Sequence, residues 1–139
     1  MTATSALGGP QAAFVDHAKV ARLGTTMLDG TPHVVPVCPV LDLDRIVIAS
    51  AFDRKIANIR DNPAVCIAFD EYSDDWDHGL FQVIVYGDAY LVESGPEFDR
   101  DAALLNEKFP QYAVSAYPIE VGSTAIIEIR IVRVSSFGL

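Results

Sequence analysis

Residues 45–63 have the sequence RIVIASAFDRKIANIRDNP, which joins a strand to a helix with a very short link. The first part, Arg45-Ile46-Val47-Ile48-Ala49-Ser50, is β-branched in its middle, as is typical of a strand. A helix is predicted over 53–62, because Asp53 can cap its start and Pro63 prevents its continuation. The chain therefore turns from a buried strand into a helix beside Ser50, and this unit organises the rest of the prediction.

The sequence on both sides of this unit contains further strand-like stretches separated by turn residues. Strands are predicted over 22–28, 33–38, 45–50, 65–69, 80–92 and 124–134, and helices over 11–21, 53–62 and 98–109. Asp29-Gly30 predicts a two-residue hairpin turn, and Gly87-Asp88 predicts a bulge in the longest strand. Residues 41–44 are predicted as a turn, and 65–69 as a strand that is buried on both faces. Six strands with short helices indicate a mainly β α+β domain, either a barrel or a sandwich.

The composition limits the classes of function. A chain of 139 residues fits one domain, and we expect a flexible leader over 1–10 followed by a single domain over 11–139. The formal net charge of −9 argues against a nucleic-acid surface and against docking on anionic membranes. The chain shows neither a signal-peptide pattern nor an apolar run long enough to span a membrane, so we expect a cytoplasmic protein.

The sequence offers no metal site. Cys38 and Cys66 lie in apolar stretches without metal-ligand spacing, and both are predicted to be buried free thiols. The acidic residues of 70–77 lack the spacing and the central glycine of a calcium loop, which favours a solvated loop.

Positive charge is concentrated at the strand–helix unit. Three of the ten basic residues, Arg54, Lys55 and Arg60, fall within seven positions there. The start of a helix carries free N–H groups and a partial positive charge, so Ser50, Arg54 and Lys55 beside it could bind a phosphate. The spacing is equally compatible with a solvated helix face whose cations form ion pairs.

Several stretches occur together in the order that is found in one known family. The chain from about Phe14 to Val134 resembles the pyridoxamine-phosphate-oxidase-like split-barrel proteins. The matching stretches are ARLGTT at 21–26, DGTPHVVPV at 29–37, IVIAS at 46–50, RKIANIRDNP at 54–63 and VYGDA at 85–89. The resemblance implies a six-stranded antiparallel split β-barrel that forms a homodimer. It also implies that FMN, or the deazaflavin coenzyme F-420, lies between the subunits.

The resemblance also assigns the cofactor residues. It implies that Ser50, Arg54 and Lys55 hold the cofactor phosphate. The backbone of Val35, Pro36 and Val37 would follow the polar edge of the ring, and Thr25 and Thr26 would lie near the ring or the ribityl chain.

A finer similarity concerns DEYSDDW at 70–76 and KFPQY at 108–112. Both stretches are similar to a subgroup labelled as probable deazaflavin-dependent enzymes, in which the tryptophan-bearing loop lies near the partner subunit. Trp76 would then cover the ring or the substrate pocket, or would anchor the subunit interface.

The expected function is an oxidoreductase that transfers hydride to or from a small organic substrate. In true pyridoxamine-phosphate oxidases, the residues for the substrate phosphate lie mainly in a C-terminal region that typically has an Arg-x-His element. This chain departs from the family there, so oxidation of pyridoxamine phosphate itself is not expected. Flavin and deazaflavin enzymes leave the chemistry to the cofactor, so no catalytic residue is assigned. His78, Tyr72, Tyr112 or water could donate a proton, although each side chain equally fits an ordinary surface or packing role. A non-catalytic flavin carrier or sensor, and a scaffold that has lost its cofactor, are the alternatives, and FMN and the deazaflavin stay open.

Overall fold

The computed structural model describes residues 2–4 and 6–139. The strands are β1 Thr2–Thr4, β2 Ala21–Thr26, β3 Pro32–Val37, β4 Val40–Asp42, β5 Arg45–Ser50, β6 Ala64–Glu71, β7 Phe81–Val92 and β8 Ala125–Phe137. The helices are α1 Gly9–His17, α2 Arg54–Asp61, α3 Pro96–Lys108 and α4 Gln111–Val114.

The strands form one antiparallel sheet in the order β3-β2-β6-β7-β8-β5-β4, and β1 pairs with β8 outside this path. The prediction of a mainly β protein with short helices is confirmed, but the path has seven strands instead of six. β3 and β4 lie at opposite ends of the order, yet only Cys38 and Pro39 separate them along the chain. The two ends must therefore approach each other, so the sheet is curled, which is consistent with a split barrel.

Within the seven-strand path, the strand that the prediction missed is β4. Residues 41–44 were expected to form a turn, but Val40–Asp42 pairs with Arg45–Ser50 across a tight turn at Leu43, whose φ is 56°. A strand of three residues is too short to show an alternating pattern in the sequence. Only its hydrogen-bonded ladder with β5 defines it as a strand.

The core occupies the concave side of the sheet. Alternate residues of β5, β6, β7 and β8 point inward there, and α2 closes one end with Ile56 and Ile59. A second apolar layer lies on the other face of β5, where Val47 and Ile126 pack against Phe98 and Leu105 of α3. β5 is therefore buried on both faces, whereas β6, for which this was predicted, alternates buried and half-buried residues.

Charged groups also connect α3 to the sheet. Arg45 of β5 contacts three carboxylates, with Nη2 lying 2.8 Å from Asp42 and 2.9 Å from Asp101, and Nη1 lying 2.6 Å from Glu128. Burial, followed by the hydrogen bond with Asp101, raises the pKa of Glu128 from 4.5 to about 7. Burial alone would lower the pKa of the Arg45 guanidinium, but its hydrogen bonds to Asp101, Asp42 and Glu128 raise it overall.

Two predicted turns have different outcomes. The predicted hairpin between β2 and β3 is confirmed, but five residues connect the strands instead of two, because the last pair is Thr26 with Pro32. Gly30 in this loop has a φ of 91°. The predicted bulge is confirmed by a register shift between Tyr86 and Gly87. A Cβ at Gly87 would lie 2.3 Å from the carbonyl oxygen of Arg130, so the bulge requires glycine.

The predictions for the first ten residues and the cysteines also change. Thr2–Thr4 pairs with β8 and α1 begins at Gly9, so regular structure extends into the segment predicted as a leader. Met1 and Ser5 of that segment lie outside the described residues. Both cysteines are free thiols, but Cys38 is exposed and Cys66 is half-buried, so the prediction of buried thiols was wrong for Cys38. Within 2–4 and 6–139, none of the helices is both long and apolar enough to cross a membrane.

Candidate functional site

Ser50 ends β5 at the point where the chain turns toward α2. It pairs in register with Ala125, the first residue of β8, so the loop that precedes β8 approaches the same end of the sheet. The Ser50 side chain is buried, and its Oγ donates a 2.6 Å hydrogen bond to the carbonyl oxygen of Ala51. The hydroxyl is thus fixed close to the start of the helix.

The start of α2 differs from the prediction at Asp53. This residue occupies the N-cap position, but its carboxylate makes no capping hydrogen bond to the helix. Instead, Oδ2 accepts a 2.6 Å hydrogen bond from Lys55 Nζ, and Oδ1 lies 3.4 Å from Ser50 Oγ, whose one hydrogen is donated to Ala51. The N–H groups of the first turn consequently keep their donor capacity. A carboxylate also already lies between two of the predicted phosphate ligands.

A cavity of about 520 Å³ opens beside these groups. Ser50 and Lys55 lie on its wall, and the Lys55 side chain is only 12% exposed. The remaining wall consists of Ala49, Ala51, Tyr112, Ala116, Tyr117, Pro118, Ile119, Glu120, Ser123 and Thr124. Thr124 Oγ1 accepts a hydrogen bond from the backbone N–H of Glu120, which shapes the loop. The sequence prediction missed this loop, because only the pairing of Ser50 with β8 brings it to the site.

Arg54 follows Asp53 but is not among the residues that line the cavity. Its side chain is exposed, and within the described part of the chain it forms neither a hydrogen bond nor an ion pair. An unpaired guanidinium beside the helix start adds positive potential and is free to rotate toward an anion.

The donor set of this cavity fits an oxyanion such as a phosphate. A hydroxyl, an ammonium and the N–H groups of a helix start are the donors that proteins use for phosphates. The Asp53 carboxylate, an oxyanion itself, is held there by Lys55 beside Ser50. Asp53 and the nearby Glu120 reduce the positive potential, so a bound anion must compete with them.

The predicted ring residues lie on β2 and β3. Thr25 is buried and accepts a 3.0 Å hydrogen bond from Asn58 of α2, which holds the helix against β2. Val35 and Val37 lie opposite buried residues of β2 and point into the core, whereas Pro36 is exposed. Neither these residues nor Thr26, which is half-buried, line the cavity beside Ser50. The structure therefore brings Ser50 and Lys55 together, and Thr25 serves to position α2.

The role of Asn58 escaped the sequence analysis. Its place on the buried face of α2, among isoleucines, was a signal, because a buried amide needs a partner.

A second cavity of about 560 Å³ adjoins the first and shares Tyr112 and Tyr117 with it. Its wall is mainly apolar and consists of Lys19, Cys38, Lys108, Phe109, Gln111, Tyr112, Ser115 and Tyr117. Burial raises the pKa of the Tyr112 hydroxyl. Tyr112, considered above as a proton donor, is thus a neutral hydroxyl group at the junction of the two cavities.

The other candidate side chains lie elsewhere. Trp76 is 69% exposed in the connection between β6 and β7, and it lines neither cavity. In the same connection, Tyr72 donates a hydrogen bond to Asp74, and His78 lies 3.3 Å from Asp75. The described residues contain no cluster of side chains suited to a metal ion.

A sequence model of one protein family, described as pyridoxamine 5'-phosphate oxidase, matches residues 10–138. A search of curated proteins finds no significant match.

Solved structures with the same fold include three that differ in their described roles. A FAD-binding protein from Mesorhizobium loti has 23% identity and a TM-score of 0.72, with 98% of this chain and 97% of that chain covered. The heme storage protein HutZ from Vibrio cholerae has 17% identity and a TM-score of 0.75, with 90% and 89% covered. A protein of unknown function from Agrobacterium tumefaciens has 17% identity and a TM-score of 0.76, and the match covers 91% of this chain but 55% of that one.

Proposed function

The chain belongs to the pyridoxamine 5'-phosphate oxidase family, and on this premise we propose that it is a flavin-type oxidoreductase. The cofactor phosphate binds in the cavity beside Ser50 and Lys55. The observation that carries the proposal is the Asp53 carboxylate, which both of these side chains already contact. A phosphate that displaces this carboxylate meets the same donors and, in addition, the N–H groups of α2.

Each residue of the cavity has a distinct part in binding. The Lys55 ammonium releases the Asp53 carboxylate and pairs with the phosphate instead. This ammonium is largely shielded from water, which strengthens the new ion pair. Ser50 donates its hydroxyl hydrogen to the phosphate instead of to Ala51. Arg54, which has no partner within the described residues, supplies a second positive charge.

The bound flavin supplies hydride transfer to or from a small organic substrate, and the chain supplies position and shelter. The hydrogen bond of Asn58 to Thr25 fixes α2 against β2, and β2 pairs with β3, the strand proposed to follow the ring. β3 ends the sheet path, so its second edge pairs with no other strand among the described residues. Its backbone groups are therefore free to contact the polar edge of a ring.

We further propose a homodimer whose partner subunit completes the ring site. Several large apolar side chains are exposed on a single chain, including Trp76, Val34 and Val132. Burial of such side chains against a second copy would stabilise a dimer and exclude water from the cofactor.

The fold alone does not choose the ligand. It is shared by proteins described as FAD-binding and as heme storage, so the proposal depends on the anion cavity and on the family. FMN and the deazaflavin coenzyme both carry a phosphate and both fit the argument. A non-catalytic flavin carrier or sensor is the second candidate, because the same residues would serve binding without turnover.

The binding test is a fluorescence titration of the purified apo-protein with FMN, riboflavin and coenzyme F-420. Riboflavin is FMN without the phosphate, so we expect FMN to bind far more tightly. Lys55→Gln should weaken FMN binding by about tenfold or more, since a hydrogen bond to a charged group contributes about 1.5–3 kcal/mol. Arg100→Gln, an exposed change on α3, is the matched control and should leave the affinity unchanged. Equal affinity of parent and Lys55→Gln for FMN would refute the phosphate site.

A second experiment separates the enzyme from the carrier. The bound cofactor is reduced chemically and mixed with a quinone in the absence of oxygen. Reoxidation that is much faster than for the free reduced cofactor supports an oxidoreductase, whereas equal rates support a carrier.

A further inference from the structure

The lysines of this chain have an unusual distribution. The protein carries a formal net charge of −9 and has only three lysines, Lys19, Lys55 and Lys108. All three line the two adjoining cavities: Lys55 lies in the first, and Lys19 and Lys108 lie in the second. The phosphate proposal accounts for Lys55 and leaves the other two without a function.

Lys108 is a half-buried charge that is not bonded to a carboxylate. Its Nζ donates hydrogen bonds of 2.6 Å to the carbonyl oxygen of Ala18 and 2.8 Å to that of Pro39. An ammonium has three N–H donors, so one of them is not used by these two carbonyls. Burial lowers the pKa of Lys108, which indicates that its charge is poorly solvated.

Lys19 brings a second ammonium to the same place. Its Nζ lies 5.4 Å from the centre of the Phe109 ring, and Lys108 Nζ lies 5.5 Å from the same centre. Within the described residues, Lys19 forms no ion pair, and Asp16 is the acid whose charge acts on Lys108. Two ammonium groups at one ring create a strongly positive potential, because the surrounding protein screens charge less than water does.

The remaining lining is suited to a flat apolar body. Phe109, Tyr112 and Tyr117 supply aromatic surface, while Gln111 and Ser115 supply polar groups. No aspartate or glutamate is among the residues that line this cavity. The cavity thus combines aromatic walls with positive charge, and Asp16, whose charge acts on Lys108, is not part of its lining.

We propose that the second cavity binds a planar organic acid. Its carboxylate lies between Lys19 and Lys108, and its apolar body lies against Phe109 and Tyr112. The cavity shares Tyr112 and Tyr117 with the phosphate cavity, so a molecule bound there is next to the proposed cofactor. The assignment of planar organic acids as the substrate class of the oxidoreductase rests on the proposed function. The binding of such an acid in the second cavity does not depend on that function.

The test uses benzoate as the probe and benzyl alcohol as its neutral analogue. Each is titrated into the full-length apo-protein at constant ionic strength, and binding is followed by the backbone amide NMR signals of Gln111 and Ser115. We expect saturable binding of benzoate that is at least tenfold tighter than that of benzyl alcohol. Lys19→Gln should weaken benzoate binding about fivefold or more, and Arg100→Gln should not change it. Lys19 is exposed and forms no ion pair within the described residues, so this variant should fold normally.

Lys55→Gln distinguishes the two cavities, since it should weaken the binding of FMN and leave benzoate unchanged. Equal binding of benzoate and benzyl alcohol, or an unaltered affinity in Lys19→Gln, would overturn the inference. If FMN fails to bind while benzoate binds through Lys19, the proposed function fails and the acid site stands. If FMN binds and benzoate does not, the acid site is refuted alone.

Discussion

Replacement of Glu128 by glutamine should stabilise the protein above neutral pH. Glu128 lies on β8 with its side chain 12% exposed, and it interacts with Arg45 from β5 and with Asp101 and Glu97 from α3. Asp42 from β4 contacts the same Arg45, and Arg100 from α3 lies 3.8 Å from Asp101. Asp101 is fully buried, and its Oδ2 has no hydrogen-bond partner within the described residues. One arginine therefore neutralises only part of the charge of three carboxylates, and Glu128 takes up a proton at about pH 7.

The sign of the effect follows from the direction of the pKa shift. The folded protein raises the pKa of Glu128 from 4.5 to about 7, so the folded state binds this proton more tightly than the unfolded state. The resulting stabilisation is fully present below about pH 4.5 and is lost as the pH rises through about 7. A shift from 4.5 to about 7 corresponds to about 3 kcal/mol at about 1.36 kcal/mol per pKa unit. Glutamine resembles the protonated acid at every pH and does not lose this contribution.

Urea unfolding followed by circular dichroism measures the effect. The parent, Glu128→Gln and the exposed control Glu93→Gln are compared at one protein concentration between about pH 4 and pH 8. We expect the parent and Glu128→Gln to have nearly the same free energy of unfolding at about pH 4. At about pH 8, Glu128→Gln should be more stable than the parent by about 2–3 kcal/mol. Glu93→Gln should follow the parent, because its carboxylate pairs with Arg60 at the surface. A constant difference across the range, or a less stable variant at high pH, would refute the reasoning.

Three further changes test the phosphate site and the fold. Asp53→Asn should raise the affinity for FMN about three- to tenfold without changing the affinity for riboflavin, because the phosphate no longer competes with a carboxylate. The fluorescence titration measures both affinities, and a loss of FMN affinity would contradict this prediction. Asn58→Ala should lower the free energy of unfolding by about 1–3 kcal/mol, since the buried hydroxyl of Thr25 loses its partner. Urea unfolding measures this free energy, and an unchanged value would contradict the prediction. Gly87→Ala should destabilise the protein by about 1–3 kcal/mol, because the new Cβ would lie 2.3 Å from the carbonyl oxygen of Arg130; a melting temperature equal to that of the parent would contradict it.

The local elements could largely be predicted from the sequence. The strand Arg45–Ser50 and the helix that follows it lie where the sequence indicates, within about one residue at the helix ends. The bulge at Gly87 also follows from glycine chemistry. Each of these features depends on residues within a few positions of one another, so a single sequence contains the necessary information.

The errors occur where strand pairing, side-chain contacts and burial in the folded chain decide, and not residue type alone. The chain at Val40–Asp42 becomes a strand because β5 pairs with it, and Cys38 is exposed although its neighbours are apolar. Asp53 has the residue type and position of a helix cap, but Lys55 binds its carboxylate instead. In each case several local arrangements suit the same residue types, and only the folded structure selects one of them.

The candidate site also has one part that the sequence predicts and another part that only the folded structure determines. From the sequence alone, Ser50, Arg54 and Lys55 are determined as neighbours of a helix start, since a strand that enters a helix within a few residues allows no other arrangement. Only the tertiary structure brings Lys19 and Lys108 together, with their Nζ atoms 5.4 Å and 5.5 Å from the centre of the Phe109 ring. That approach depends on strand pairing and on the packing of α3 over β5, which are long-range contacts. Periodicity and turn chemistry act over one element and cannot specify them.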